Sequence, residues 1–153
     1  MDRHTFWTAW LLVVCFTMAA FGVLMILFNQ TALLAGLLGE IQRAFSLGGD
    51  ASDGIVQFQA WVYGVWGATV AGFGVLAALV GGNAFACRER WARDALAGAL
   101  ALWYVLDTAA SLASRVWVNA AFNTIVLVGF VLPLAFTWNH FPKRSAADQV
   151  PPP

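Results

Sequence analysis

Long hydrophobic runs separated by short polar stretches dominate the chain. The first run, Phe6 to Phe28, contains no charged residue and is longer than the roughly 20 residues that cross a bilayer. It also exceeds the apolar core of a cleavable signal peptide, about 7–15 residues, and no clear A-x-A cleavage site ends it. We therefore expect a retained first transmembrane helix over about residues 6–28.

Three further runs have the length and composition of transmembrane helices. They cover about residues 57–80, 91–114 and 118–138. Gly81 to Asn83 is expected to end the second run, and a tight turn near Arg115 separates the third from the fourth. Pro133 removes one backbone hydrogen bond from the last helix. The pattern predicts an all-α fold, a four-helix transmembrane bundle, in one domain over residues 1–141.

A shorter amphipathic segment follows the first run. Its apolar residues fall on one helical face; they are Leu34, Leu37, Leu38, Ile41 and Phe45. We predict a helix over about residues 31–47 that lies in the plane of the membrane interface. A connector that shields one end of the bundle is the preferred role, and a lid over a pocket is the alternative. Gly48 to Gly54 is expected to form a loop before the second span.

Small residues follow helical spacing in the second run. One row contains Gly64, Ala68 and Gly72, and a parallel row contains Gly67 and Ala71. Such rows let helix backbones approach closely. We interpret them as packing within the bundle in preference to a dimer seam.

The composition is that of a membrane protein, and it indicates which partners to expect. The chain is 61% hydrophobic and 10% charged, whereas an average soluble domain is about 25% charged. Its formal net charge is zero, so no nucleic-acid partner is predicted. The lipid bilayer is the expected partner, with other membrane subunits or further copies of this chain as candidates. The polar, proline-rich tail over residues 142–153 is expected to be disordered and cytoplasmic.

The basic residues favour one orientation. With four spans, six of them fall on one side: Arg3, Arg88, Arg90, Arg93, Lys143 and Arg144. Arg43 and Arg115 fall on the other. By the positive-inside rule, both termini are expected in the cytoplasm.

A polar ladder is the main chemical feature. Asp107 and Ser111 are four residues apart and share a face of the third helix, and Asn119 and Asn123 do the same on the fourth. Both levels, Ser111–Asn119 and Asp107–Asn123, are symmetric about Arg115. In an antiparallel hairpin each pair shares a depth, with Asp107 about 12 Å from the turn at about 1.5 Å per residue.

Asp107 requires an explanation because a carboxylate in a transmembrane helix costs roughly 2.5–3.5 kcal/mol to insert. Burial favours the neutral acid, whereas Arg115 or the amide of Asn123 would favour the anion. Three roles compete: a clamp between helices, part of a ligand pocket, and proton transfer or acid–base catalysis. The clamp is preferred because neighbouring hydroxyl and amide groups can satisfy the carboxyl.

The second helix can supply a wall to such a pocket. Gln59 and Tyr63 are four residues apart, and Trp66 lies one turn deeper. Trp103 precedes Asp107 by four residues on the third helix. An apolar, aromatic wall with few polar groups is typical of a small-molecule site. Ordinary interfacial aromatic residues are the competing interpretation.

No catalytic motif accompanies these residues. The chain contains no P-loop, no G-x-G-x-x-G and no C-x-x-C, and the only histidines, His4 and His140, are expected across the membrane from Asp107. Two histidines without a nearby carboxylate or thiol make a poor metal site. We therefore predict no catalytic residue and no metal ligand.

The chain resembles the DoxX-like group of small bacterial four-helix membrane proteins. The resemblance rests on the four spans, the amphipathic segment after the first, the run Tyr63 to Ala68 (YGVWGA), and the polar end of the third helix with Asp107, Thr108 and Ser111. It covers about residues 6 to 138. It implies a bacterial inner-membrane protein, in some members a membrane subunit of a quinone-linked oxidoreductase, and it carries over no catalytic residue.

Two function classes follow. The preferred one is a non-catalytic membrane module that binds a lipophilic small molecule or serves as a subunit of a membrane complex. The alternative is a small membrane enzyme or proton-coupled carrier that uses Asp107. No cofactor is predicted, and a lipid or quinone-like molecule is the expected occupant if the pocket binds a ligand. The non-catalytic class is preferred because a single isolated carboxylate lacks the partner groups that an active site normally contains.

Overall fold

A computed structural model describes residues 2–44 and 53–142. These residues form five α-helices. The helices are α1 (Arg3–Phe28), α2 (Ala32–Ala44), α3 (Asp53–Val80), α4 (Arg90–Ala113) and α5 (Trp117–Thr137). A π-helical turn, Gly81–Phe85, extends α3, and a 3₁₀ turn, Trp138–His140, extends α5. The described part of the chain contains no β-strand, so the all-α prediction is confirmed.

Several boundaries differ from those predicted. Helix α1 begins three residues early because the Asp2 carboxylate accepts a hydrogen bond of 2.7 Å from the backbone N–H of Thr5 and caps the helix. Helix α3 begins at Asp53, so Gly54 belongs to a helix and not to the predicted loop. The helix begins this early because apolar residues follow Gly54 directly. Helix α3 ends at Val80, directly before the predicted end at Gly81–Asn83, and the π-helical turn follows it there.

Some predictions fall outside the described residues. Residues 45–47 of the amphipathic helix, most of the loop that follows it, and the tail from Lys143 onward are among them. The side chains of Leu37 and Leu38 are also outside the described set. Of the predicted apolar face of α2, Leu34 is buried and Ile41 is partly buried.

Close backbone contact joins α1 to α3. A Cβ atom added at Gly67 would lie 2.6 Å from the carbonyl oxygen of Gly22, and one added at Gly74 would lie 2.6 Å from the backbone nitrogen of Ala19. Gly64 and Gly72 have open space at the same position. Only the row that contains Gly67 therefore makes this contact, and the predicted row at Gly64 and Gly72 does not.

A hydrophobic core connects the long helices. Leu11 and Cys15 of α1, Leu100 of α4 and Phe130 of α5 are buried in it, together with Phe85 of the π-helical turn. The Trp10 indole also donates a 3.0 Å hydrogen bond to the carbonyl of Gly129 and so links α1 to α5. A second, smaller cluster joins α2 to α1 and α3 around Leu34 and Met25.

The outer surface is unusually apolar. Val13 and Phe16 of α1, Leu102 of α4 and Ile125 of α5 are all more than 60% exposed. In water such a surface would promote aggregation, whereas lipid tails accommodate it. Four helical segments are long and apolar enough to cross a membrane: Arg3–Phe28, Gly54–Phe85, Arg90–Ala113 and Trp117–His140.

The helices define two ends of the molecule. At one end, called the His4 end, the His4 ring stacks on Phe85 and lies near His140 and Phe141. At the other, called the Arg115 end, helix α2 lies near the turn between α4 and α5. The polar ladder is at the Arg115 end, so the histidines and Asp107 are at opposite ends of the helices.

Candidate functional site

The turn between α4 and α5 positions the polar ladder, which comprises Asp107, Ser111, Asn119 and Asn123. Arg115 has a positive φ of 60°, which lets the chain reverse within a few residues. The Val116 N–H donates to the Ser111 carbonyl at 2.8 Å and closes the turn. This reversal places the polar face of α4 against that of α5.

Asp107 accepts hydrogen bonds from both asparagines. Its Oδ1 receives the side-chain amide of Asn119 at 2.7 Å and that of Asn123 at 2.9 Å. The Ser111 hydroxyl lies 3.3 Å from the same oxygen and donates to the Asp107 backbone carbonyl at 2.7 Å. One carboxylate oxygen of α4 therefore ties two successive turns of α5 to it.

The two predicted levels of the ladder are confirmed. Asn119 also donates to the Ser111 hydroxyl at 2.7 Å, which forms the Ser111–Asn119 level, and the Asn123–Asp107 bond forms the other. Asn123 makes a further, longer bond of 3.3 Å to the Thr108 hydroxyl. The two Nδ2 groups therefore have four acceptor contacts between them, enough for all four of their hydrogens.

Burial makes these bonds important for the helix pair. Asn123 is 1% exposed, Ser111 7% and Asn119 9%, and Asp107 is partly buried. Helix–helix hydrogen bonds inside membranes contribute about 0.6 kcal/mol on average and up to about 1.7 kcal/mol. Removing an acceptor costs more, because it leaves a buried donor without a partner. The ladder thus has the geometry of a clamp between α4 and α5.

A cavity of about 280 Å³ lies beside the ladder. We call it the ladder cavity. Its lining comes from α2, α3, α4, α5 and the α4–α5 turn: Ile41, Val62, Tyr63, Trp66, Ala110, Ser111, Ser114, Val116 and Asn119. Its lining is mainly apolar and aromatic, and Ser111 and Asn119 add polar side chains. Such a composition suits an apolar molecule with one or two polar groups.

Tyr63 and Trp66 form the aromatic wall, as the spacing on α3 predicts. Their rings are 6.5 Å apart between centroids and inclined by 39°. Both pack against the small cluster around Met25 and Leu34. Among the described residues, no hydrogen-bond partner reaches the Tyr63 hydroxyl, which leaves it available to a ligand.

Gln59 and Trp103 occupy different surroundings. Gln59 accepts a 3.1 Å hydrogen bond from the Gln42 amide of α2 and lines a second, more polar cavity of about 380 Å³ together with Asn29 and Tyr63. Trp103 packs against the main hydrophobic core. Neither lines the ladder cavity, and Asp107 and Asn123 do not line it either. Four of the eight candidate residues therefore meet there: Tyr63, Trp66, Ser111 and Asn119.

Several contributors were not predicted from the sequence. Ile41 and Val116 line the cavity, Gln42 binds Gln59, and the hydroxyl groups of Tyr104 and Thr124 lie 3.2 Å apart across α4 and α5. The Tyr104–Thr124 pair is centred one residue away from Arg115. A hairpin prediction that allowed its centre to shift by one residue from Arg115 would have included this pair.

The described residues contain no group of three or more His, Cys, Asp or Glu side chains able to hold an ion. Comparisons with protein families, curated proteins and solved structures gave no match to the chain.

Proposed function

We propose that the chain is an integral protein of a bacterial inner membrane, built as a four-helix bundle from α1, α3, α4 and α5. Helix α2 would lie in the interface, in keeping with its shorter length and its amphipathic sequence. Both termini would be cytoplasmic, since Arg3, Arg88, Arg90 and Arg93 all belong to the His4 end. The DoxX-like resemblance agrees with this arrangement and belongs to the same proposal.

Within this arrangement, the protein binds a lipophilic small molecule in the ladder cavity. One observation carries the proposal: Tyr63 and Trp66 of α3 line the same cavity as Ser111 and Asn119. The aromatic wall suits a ring or an acyl chain. The Tyr63 hydroxyl can donate to a ligand carbonyl, and the Asn119 side-chain oxygen can accept from a ligand hydroxyl. A lipid or a quinone-like molecule has this combination.

Asp107 supports the site and does not react in it. Its Oδ1 is occupied by the amides of Asn119 and Asn123, and it is not among the residues that line the cavity. The alternative, an enzyme or a proton-coupled carrier, is favoured by one feature. Among the described residues, no donor reaches the second carboxylate oxygen, Oδ2. Loss of turnover or coupling in a folded Asp107→Asn protein would support that alternative.

A subunit role is the second candidate for a non-catalytic module. An apolar groove of about 430 Å³ runs between α1 and α5, lined at its ends by Trp10 and Phe122. A helix of another membrane subunit, or of a second copy, could pack there. A protein that purifies as a stable and fully functional monomer would contradict this role.

Ligand binding is tested with the purified full-length chain in detergent. Isothermal titration with a short-chain quinone and with a diacylglycerol covers the two expected classes of occupant. Trp66→Leu should weaken binding roughly tenfold, since it removes one aromatic wall. Trp61→Leu is the matched control, because Trp61 is on the same helix but 64% exposed. Equal effects of both substitutions, or no binding of either ligand, would overturn the proposal.

A further inference from the structure

A second cavity, of about 290 Å³, lies at the His4 end. Its lining consists of charged and titratable side chains: Asp2, Arg3, His4, Arg88 and His140. We call it the His4 cavity. It is remote from the ladder, and the ligand site described above makes no use of it.

Two of the lining residues have incomplete hydrogen bonding. Nδ1 of His4 and Nδ1 of His140 are both buried, and neither has a partner among the residues that the structure describes. The His4 side chain is deeply buried, with 5% of its surface exposed, and the two rings are 5.8 Å apart between centroids. Buried polar atoms are seldom left unpaired in native proteins. A bound group that supplies the missing partner is a direct explanation.

The backbone contacts of His4 show which nitrogen remains available. Its Nε2 lies 3.1 Å from the Phe85 carbonyl and 3.3 Å from the Ala86 carbonyl. Carbonyl oxygens only accept, so Nε2 must carry a hydrogen and donate. The ring is thereby fixed at the end of the π-helical turn, and Nδ1 is the nitrogen left for a ligand.

The charge of the His4 cavity favours an anion over a metal ion. Arg3 and Arg88 contribute two guanidinium groups, against the single carboxylate of Asp2. Asp2 lies 3.7 Å from Arg88, a loose ion pair that leaves guanidinium hydrogens available. The Thr5 backbone N–H holds the pKa of the Asp2 carboxyl below its usual value. The carboxylate therefore remains an anion and offsets only one of the two positive charges.

We propose that the His4 cavity binds a phosphate group. A phosphate offers several oxygens that can accept hydrogen bonds from Arg3, Arg88 and the His140 ring, and from Nδ1 of His4 when that ring is an imidazolium. Guanidinium groups also match the geometry of a phosphate. The group can come from a phospholipid headgroup or from a soluble phosphate. Exposed aromatic side chains at this end, including Trp10 and Trp138, are typical of residues at headgroup depth.

The test uses native mass spectrometry of the full-length protein in detergent with defined additives. Phosphatidylglycerol carries the phosphate, a diglucosyl diacylglycerol lacks it, and inorganic phosphate provides the soluble source. Arg88→Gln should lower phosphatidylglycerol binding about tenfold, because it removes a charge-assisted contact. Arg90→Gln is the matched control: it removes the same charge two residues away, from a side chain that pairs with Asp94 outside the cavity.

Each outcome decides the proposal. Phosphatidylglycerol binding that depends on Arg88 and not on Arg90 supports a lipid headgroup as the source. Inorganic phosphate binding with the same dependence, without lipid binding, supports the site with a soluble source. Equal binding of the glycolipid, or equal effects of the two substitutions on every phosphate compound, would overturn it. Arg3→Gln provides an independent second variant on another element.

Discussion

Asn119 donates its side-chain amide to the Asp107 carboxylate at 2.7 Å and thereby joins α5 to α4. The same nitrogen donates to the Ser111 hydroxyl at 2.7 Å. A carboxylic acid alone in a membrane helix costs free energy to insert. Here, hydrogen-bond donors from the neighbouring helix bind this carboxylate. The polar side of the ladder cavity depends on this match, because Ser111 and Asn119 belong to both.

Asp107→Ala should destabilise the protein by about 1–3 kcal/mol, since the amides of Asn119 and Asn123 lose their shared acceptor. Asp107→Asn should cost less, because its amide oxygen can still accept. Unfolding in detergent, monitored by circular dichroism, measures both changes. If the two substitutions destabilise the protein equally, Asp107 does not act as the acceptor that holds α4 to α5.

The ladder shows how far sequence alone could lead. Its two levels followed from the positions of four polar residues around Arg115, because helical spacing and a tight hairpin determine which residues share a depth. The Asn119–Asp107 bond between levels was not predicted, since it depends on side-chain rotamers. The Gln42–Gln59 bond was not predicted for a related reason: the sequence that connects these two helices has no periodic signal that would fix their relative positions.

The helix ends and the small-residue rows show a second limit. Two rows on α3 have the same spacing, yet only Gly67 and Gly74 meet α1, while Gly64 and Gly72 do not. Spacing identifies a face that can pack closely, but the direction of that face depends on the other helices. The capped start of α1 at Asp2 was also missed, although an aspartate before a helix is a recognisable signal.

Gly67→Ala should destabilise the α1–α3 pair by about 1–3 kcal/mol, because the new methyl group would meet the Gly22 carbonyl and the backbones would have to separate. Gly64→Ala, one turn away with open space around it, should be neutral within about 0.5 kcal/mol. Thermal unfolding in detergent compares the two variants. Equal stability of both would show that α1 and α3 do not pack through this contact.

The single exposed thiol of the described residues reports the orientation of the chain. Cys87 lies in the turn at the His4 end and is exposed, whereas Cys15 is buried. In intact cells, a membrane-impermeant maleimide should leave Cys87 unmodified, and it should react after the membrane is permeabilised. In a Cys87→Ser background, Arg115→Cys should be labelled without permeabilisation. The reverse pattern would place the termini outside the cytoplasm.

Helix α2 should control access to the two cavities at the Arg115 end, because Ile41 lines one and Gln42 lines the other. Gln42→Ala removes the hydrogen bond to Gln59 and should increase the dissociation rate of a bound quinone about threefold, as expected for a loss of roughly 0.6 kcal/mol. Arg43→Ala is the control, since Arg43 binds Glu40 and the Gly39 carbonyl, both on its own helix. Stopped-flow displacement measures both rates. Unchanged dissociation in Gln42→Ala would assign α2 a connecting role only.

An experimental density map of the full-length protein in lipid nanodiscs tests the ligand site most directly. We predict density for a lipid or quinone-like molecule between the aromatic pair Tyr63 and Trp66 and the polar pair Ser111 and Asn119, with Asp107 still bonded to Asn119. A dry, closed contact between α3 and the α4–α5 pair, with no space for a molecule, would contradict the proposed binding function.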